Sequence, residues 1–452
     1  MPTTGPALNP ASHRANTAPK RALHIALVGY RSHPHVGGQG IYITHLATAL
    51  QGLGHDVSVI SGPPYPQLPA DIPLIKLPSL DLYEVPNHVT ALRLKHLRSF
   101  ADVYEWWSML TGGFAEPYCF GRRLKRYLKE HPGAFDVVHD NQSLCSALLT
   151  LNMPTLATVH HPISRDRDCA VANAKNWLHR WGARRWYSFV TMQKRVTQRL
   201  THVVTVSEAS RRDIASCFGR PEHNTRVIFN GINTDTFKPL PNRQKHSEQL
   251  LATCSSDQPV KGFKFLLQAY ATLIKARPNL QLTVIGQLKP NGESRALLHS
   301  LNLESRVLFR HGLSETEMVE AYNRATLFVC PSLYEGFGLP AAEAMSCATA
   351  VVSSDGGALP EVIANAGTLV PAGDASALAD AIAQLLDDTE QRAHYERLGR
   401  ERALTTLSWP AVAQQYIALY QQAINTHHNA RAKASTTALS VVPQANNASE
   451  PN

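Results

Sequence analysis

The chain has 452 residues, of which 17% are charged and 44% hydrophobic, and its formal net charge is +9. That length supports about two or three domains with complete cores, and the composition excludes a low-complexity or disordered chain. No run of about 18 apolar residues occurs, so no segment reads as a membrane-spanning helix. Seven cysteines, at 119, 145, 169, 217, 254, 330 and 347, form no Cys-x-x-Cys pair and have no histidine at zinc spacing, which points to a reducing compartment and no structural metal.

In chain order, Met1 to Lys20 is rich in Pro, Thr, Ala and Asn, lacks the apolar core of a signal peptide and is expected to be a disordered tail covering 1–21. The first strand is predicted over His24 to Tyr30. Gly37-Gly38-Gln39-Gly40 follows by a short polar loop and opens a helix over Ile41 to Leu53. Glycines at such a turn let backbone N–H groups approach a phosphate or a sugar, with the helix dipole behind them. The spacing is not the Gly-x-Gly-x-x-Gly of a dinucleotide site. Further strands are predicted at Val57 to Ser61, Val137 to His139, Thr155 to His160, Val203 to Ser207 and Val227 to Asn230. Asp166-Arg167-Asp168 has a metal-clamp spacing, but an arginine between two aspartates reads as a polar loop.

Residues 1–235 carry a net charge of +10 and residues 236–452 a net of −1, so the whole cationic excess lies in the first half. It concentrates in Arg122 to Lys129 and in Lys175 to Arg199, which holds seven basic residues, no acid, and Trp177, Trp181, Trp186, Tyr187 and Phe189. Two readings stand: a basic aromatic surface lying on an anionic membrane, or a helical pair that packs its aromatics and solvates its charges. No nucleic-acid-binding module is evident, so nucleic acid is not an expected partner.

Pro239, Pro241 and polar residues break the pattern between Asn233 and Gln249. A second strand series follows at Leu250 to Ser255, Leu282 to Gly286, Val307 to Arg310, Leu327 to Cys330, Val351 to Ser354 and Thr368 to Pro371. Two alternating series predict an α/β protein of two doubly wound, Rossmann-like domains, with ligands bound beyond the carboxyl ends of the strands in the cleft between them. In Tyr334-Glu335-Gly336-Phe337-Gly338-Leu339-Pro340-Ala341-Ala342-Glu343, two carboxylates stand eight residues apart across a glycine turn that enters a helix. Free N–H groups and partial positive charge at that terminus suit a diphosphate, and Glu343, one turn on, suits sugar hydroxyls. The same pattern also fits a solvated helix entry. Near the end, Asn447-Ala448-Ser449 matches a glycosylation acceptor that has no use without a secretory signal.

Taken together, Gly37-Gly38-Gln39-Gly40, Thr158-Val159-His160, Val206-Ser207-Glu208, Asn230-Gly231-Ile232, Lys261-Gly262, Val307 to Gly312 and Pro331 to Glu343 resemble the retaining glycosyltransferases of family 4, over about residues 22–425. The resemblance implies the GT-B architecture, with an acceptor-side domain over 22–235, a donor-binding domain over 236–405, a C-terminal helix over 406–428 crossing back, and an unstructured tail over 429–452. It implies a hexosyltransferase that takes the sugar from a UDP- or GDP-sugar, needs no metal and no further cofactor, and builds a polysaccharide, glycolipid or glycosylated metabolite. The expectation is a cytoplasmic enzyme, either free or peripheral on the inner face of an anionic membrane.

By the same resemblance, Lys261 neutralises the diphosphate, Glu335 contacts the transferred sugar and His160 lies beside it. Glu343 holds the ribose, while Gly37, Gly38, Phe337, Gly338 and Leu339 make backbone contacts to the donor. His161, Asp166 and Arg167 are placed toward the acceptor. Three departures stand out. The arginine that usually precedes the lysine by five residues is Ser256, so either Arg31, Arg165 or Arg310 replaces it or the enzyme relies on Lys261 and helix dipoles; Ala348-Thr349-Ala350 stands where Gly-x-Pro is common; and the loop after His160 is elaborate. Alternatives are a catalytically weakened sugar-nucleotide-binding protein, or an epimerase or phosphorylase on the same architecture. A dinucleotide oxidoreductase lacks its glycine fingerprint.

Overall fold

The computed structural model describes residues 21–34, 38–82, 92–241, 245–254 and 258–439, with side chains to 433. Gly37, Ser256, the N-terminal tail before Arg21 and the chain beyond 439 lie outside the described residues.

Two parallel sheets organise the chain. The first contains β1 (His24–Gly29), β2 (Asp56–Ser61), β3 (Leu74–Lys76), β4 (Val137–Asn141), β5 (Thr155–Val159), β6 (His202–Thr205) and β7 (Thr225–Val227), in the order β3-β2-β1-β4-β5-β6-β7. The second contains β8 (Gln249–Cys254), β9 (Gln281–Gly286), β10 (Val307–Arg310), β11 (Leu327–Cys330), β12 (Ala350–Ser354) and β13 (Thr368–Val370), in the order β10-β9-β8-β11-β12-β13. The central strands β4, β5, β11 and β12 are buried along their whole length, as strands covered by helices on both faces must be. Both orders reverse beside the first strand of their series, which opens a crevice at the carboxyl ends.

Two strands differ from expectation. β3 was not predicted: it is a three-residue edge strand between prolines, too short to show alternation. β7 runs over Thr225–Val227, ahead of the expected Val227 to Asn230, which leaves Asn230 in the connection between the sheets.

The C-terminal helix, Trp409–Leu439, packs on the first sheet, so its Trp409, Val412, Ala413, Tyr416, Leu419 and Tyr420 share a core with Ile43, Leu46 and Leu50 of helix Gln39–Gly52. Its continuation to Leu439 corrects the unstructured tail expected from 429. Four aligned hydroxyls and a histidine tie it down. Tyr416 Oη lies 2.7 Å from Tyr42 Oη and 3.0 Å from Thr158 Oγ1, and His139 reaches Thr158 Oγ1 at 2.7 Å and Tyr420 Oη at 2.8 Å. Burial pushes His139 down to about 3, so both ring nitrogens act in a neutral imidazole. The chain crosses between domains twice at one place: Ile232 pairs with Ser408, and Ile232 N donates to Leu407 O at 2.6 Å.

Candidate active site

The second-domain part of the site depends on one close approach. After β8 the chain makes a single turn at Pro259–Lys261 and enters helix Phe263–Ala276 through Gly262, whose φ is +65°. A Cβ there would lie 1.9 Å from Pro331 O, so only glycine lets this turn lie against the end of β11. Leu333 N then donates to Val260 O at 2.8 Å. The result brings Lys261 Nζ to 2.8 Å from Glu335 Oε1, the same oxygen that accepts from Ser332 Oγ at 2.8 Å. A half-exposed cation and a carboxylate thus meet beside the glycine turn.

Past that turn, Gly338 adopts φ +100° and starts helix Leu339–Ser346 with Pro340 in its first turn. Phe337 is buried against Phe229, so its side chain supports the loop. Glu343 projects from the helix, where Tyr322 Oη donates to its Oε2 at 2.8 Å. Burial pushes the Glu343 carboxyl up to about 7, against the lowering effect of the Tyr322 hydrogen bond and with a smaller upward contribution from Glu315.

The first domain supplies the opposite wall. Gly38, at φ +74°, precedes helix Gln39–Gly52, and a Cβ on Gly40 would collide with His33 O, so Gly40 serves backbone packing while Gly38 faces open space. His160 follows β5, its backbone N donating to Gln142 Oε1 at 2.8 Å and its Nε2 lying 2.7 Å from Asn141 Oδ1. The Asn141 amide nitrogen is committed to Gln39 O, so the oxygen faces His160 and the imidazole carries its proton on Nε2. Burial holds His160 near 3, a neutral ring packed edge-on against Tyr42.

A cavity of about 350 Å³ joins the two walls. Gly38, His160 and His161 line it from one side and Leu339 and Glu343 from the other, so five separately chosen positions converge. Lys261 and Glu335 sit as a pair beyond its lining, next to Ser332. Of the other candidates, Asp166 pairs with His161 at 3.4 Å, whereas Arg167 turns to its neighbour Asp168 and lies outside the cavity wall. Arg31, Arg165 and Arg310 each face a carboxylate: Glu116, Asp213 and Glu317. Among the described residues no group of three His, Cys, Asp or Glu side chains is placed to hold a metal ion, and all seven cysteines are free.

Several residues in or behind the cavity wall carried little signal in sequence. Tyr322 and Ser332 hold the two glutamates, His45 stacks on Trp409, and Asn230 brings a buried Oδ1 without a hydrogen-bond partner among the described residues. Gly231, next to it, would place a Cβ 2.2 Å from the Trp409 ring.

Residues 36–236 match the Glycosyltransferase Family 4 model, and residues 237–402 match Glycosyl transferases group 1. The MMP alpha-(1->4)-mannosyltransferase of Mycolicibacterium hassiacum is 41% identical over 409 residues, which is 89% of this chain and 98% of that one. The chain belongs to the family 4 glycosyltransferases. A glycogen synthase of Mycobacterium tuberculosis is 27% identical over 410 residues, covering 88% of this chain and 94% of that one. In fold, the enzyme is similar to the sucrose-phosphate synthase of Thermosynechococcus elongatus, with TM-score 0.64 and 24% identity over 89% of this chain and all of the other. The glycosyltransferase is therefore a GT-B enzyme that uses a nucleotide sugar and transfers the sugar to an acceptor. Among its described residues no helix is long and apolar enough to cross a membrane.

Proposed function

We propose that this glycosyltransferase moves a mannosyl group from a nucleotide diphosphate mannose, with a GDP or UDP base, to the 4-hydroxyl of an α-mannoside, with retention of configuration. The observation that carries the reading is the identity to the M. hassiacum mannosyltransferase along 98% of its length. The paired Lys261 and Glu335 and the buried Glu343 support it chemically.

In this reading Glu343 accepts hydrogen bonds from the ribose and Gly38 approaches the diphosphate. Lys261 exchanges its contact with Glu335 for the departing phosphate, stabilising charge that develops only as the glycosidic bond breaks. Glu335, released toward the sugar, holds hydroxyls of the transferred ring. His160 stays neutral and orients that ring without acting as an acid. No side chain is assigned as nucleophile: the acceptor oxygen attacks the anomeric carbon from the face the phosphate leaves, and its proton goes to the leaving phosphate. Closure of the cleft excludes water that would hydrolyse the donor.

Purified enzyme is to be incubated with GDP- and UDP-mannose, the matching glucose donors, and manno- and gluco-oligosaccharides, with linkage and anomer assigned by NMR. An α-(1→4)-mannosyl product is expected, and Lys261→Ala and Glu335→Ala should each lower kcat by about 10²-fold or more. Glucosyl transfer alone would overturn the sugar assignment, and near-normal turnover by both variants would remove the mechanism.

A further inference from the structure

Helix Phe100–Leu110 is packed inside out. Its buried positions are Ala101, Glu105 and Ser108, whereas Phe100, Val103, Trp107 and Leu110, which follow one stripe at intervals of three and four, are 60%, 44%, 52% and 45% exposed. Arg123 meets the inward Glu105 carboxylate at 2.6 Å and that of Asp102 at 2.7 Å, so both acids of this helix are neutralised within the protein. A helix that served only the fold would bury the apolar stripe and leave the carboxylates to water. The reverse arrangement marks a surface kept for a partner.

A second helix extends the same face. In Trp177–Trp186, Trp186 stacks on Phe114 and holds the C-terminal end on the domain, while Trp177, Leu178 and Trp181 are 77%, 55% and 56% exposed. Arg185 joins the two helices: its guanidinium lies 5.5 Å from the centre of the Trp107 ring and donates to Thr111 Oγ1 at 2.7 Å. Arg180 and Arg184 each follow an exposed tryptophan by three residues, so a stripe of cations runs beside the stripe of rings, with Lys175 ahead of both. All three cations are exposed, and none has a carboxylate partner among the described residues. The acids nearest in sequence, Asp166 and Asp168, contact His161 and Arg167. The face therefore combines an outward apolar stripe with uncompensated positive charge.

We infer that this face docks the enzyme on an anionic lipid surface, with the tryptophans at the level of the headgroups, the aliphatic side chains among the acyl chains, and Lys175, Arg180 and Arg184 against lipid phosphates. It concerns where the enzyme sits, and so does not rest on the mannosyl reading above. Indole rings favour the boundary between headgroups and acyl chains, and each basic residue near a negatively charged leaflet strengthens binding about fivefold. Single-stranded nucleic acid would meet the cations and rings but offers Val103, Leu110 and Leu178 no apolar phase to enter. A second copy of the chain would set like charges against each other.

The test compares wild type with Trp177→Ala/Trp181→Ala and Arg180→Gln/Arg184→Gln, whose exposed side chains support no core, so that both variants should melt as wild type does. Each is sedimented with vesicles of phosphatidylcholine and with vesicles of equal parts phosphatidylcholine and phosphatidylglycerol. Wild type is expected to bind the anionic vesicles at least about tenfold more tightly than the neutral ones, and the arginine variant to lose most of that preference. The tryptophan variant should bind anionic vesicles about tenfold more weakly and keep its sensitivity to salt. Lipids brominated on their acyl chains should quench the tryptophan emission of wild type more strongly than that of the tryptophan variant. Absence of anionic preference in wild type, or wild-type binding by either variant, overturns the assignment. So does binding of a single-stranded oligonucleotide in preference to anionic vesicles, which would give the face to nucleic acid, or a dimer that the tryptophan variant disperses, which would give it to a second copy.

Discussion

Glu343 is the residue at which burial and function pull in opposite directions. A carboxyl raised to about 7 is largely protonated below neutrality, yet ribose hydroxyls donate best to the ionised form. A bound nucleotide that favours ionised Glu343 must bind more tightly as pH rises through that value, because less free energy is then needed to remove the proton. His160, near 3, stays neutral throughout and adds nothing to this dependence. Nucleotide affinity measured by calorimetry should therefore increase between about pH 6 and about pH 8, and Glu343→Gln should bind more weakly with a flat profile. A sloping profile in the variant would move the titration to another group. Sequence pointed to Glu335, Glu343, Lys261 and His160 individually, but the Lys261–Glu335 pair joins residues 74 apart and exists because Gly262 lets one loop rest on Pro331 O.

At the scale of elements, helix Glu208–Phe218 of the first domain is capped from the second. Ser207 Oγ accepts from Ser210 N at 3.0 Å in the ordinary way and also donates to Gly336 O at 2.9 Å, inside the glycine turn. The orphan N–H groups of Glu208 and Ala209 donate to the Glu361 carboxylate at 2.5 and 2.8 Å, with the helix dipole favouring that charge. Nearby, Arg165 lies over the Tyr334 ring and both residues contact Asp213, forming a second clasp across the cleft. Replacing Glu361 by Gln keeps the shape and removes the charge. A cost of about 1–2 kcal/mol is expected, visible as an earlier thermal transition with both sheets retained by circular dichroism. An unshifted transition would mean that water replaces the cap without loss. The capping Ser207 is legible before its helix; its partner in another domain is not, since nothing local to Glu361 indicates what its carboxylate meets.

On the scale of the whole molecule, both domains depend on the return of the chain at Ser408. Trp409 closes the first-domain core beside Gly231, and the Tyr416, Tyr420, Thr158, His139 and Tyr42 network leaves few ways for the helix to dock. Gly231→Ala drives a Cβ into the Trp409 ring, where overpacking of a filled core costs about 1–3 kcal/mol. Such a variant should unfold earlier and turn over more slowly, because Asn230, Gly231 and Trp409 all line the cavity. Wild-type melting and activity would show that the helix end shifts freely. The basic aromatic region divides in the same tertiary way. Phe189 and Val190 of helix Phe189–Arg199 are buried, as a packed pair requires, whereas Trp177 and Trp181 are left on the surface.

The sequence by itself determined the two strand series, the break between them, the glycine turns at helix entries and the identity of the charged residues beside those turns. All of these are written in periodicity and backbone constraint over a few neighbouring positions. Tertiary structure decided that a cavity joins Gly38 to Glu343, that burial raises the glutamate against the lowering effect of the Tyr322 hydrogen bond, and that Glu361 caps a helix of the other domain. It also placed a three-residue edge strand at Leu74–Lys76 and carried the last helix on to Leu439. These depend on which distant surfaces meet, because burial and pairing energies belong to contacts between residues that no local pattern connects.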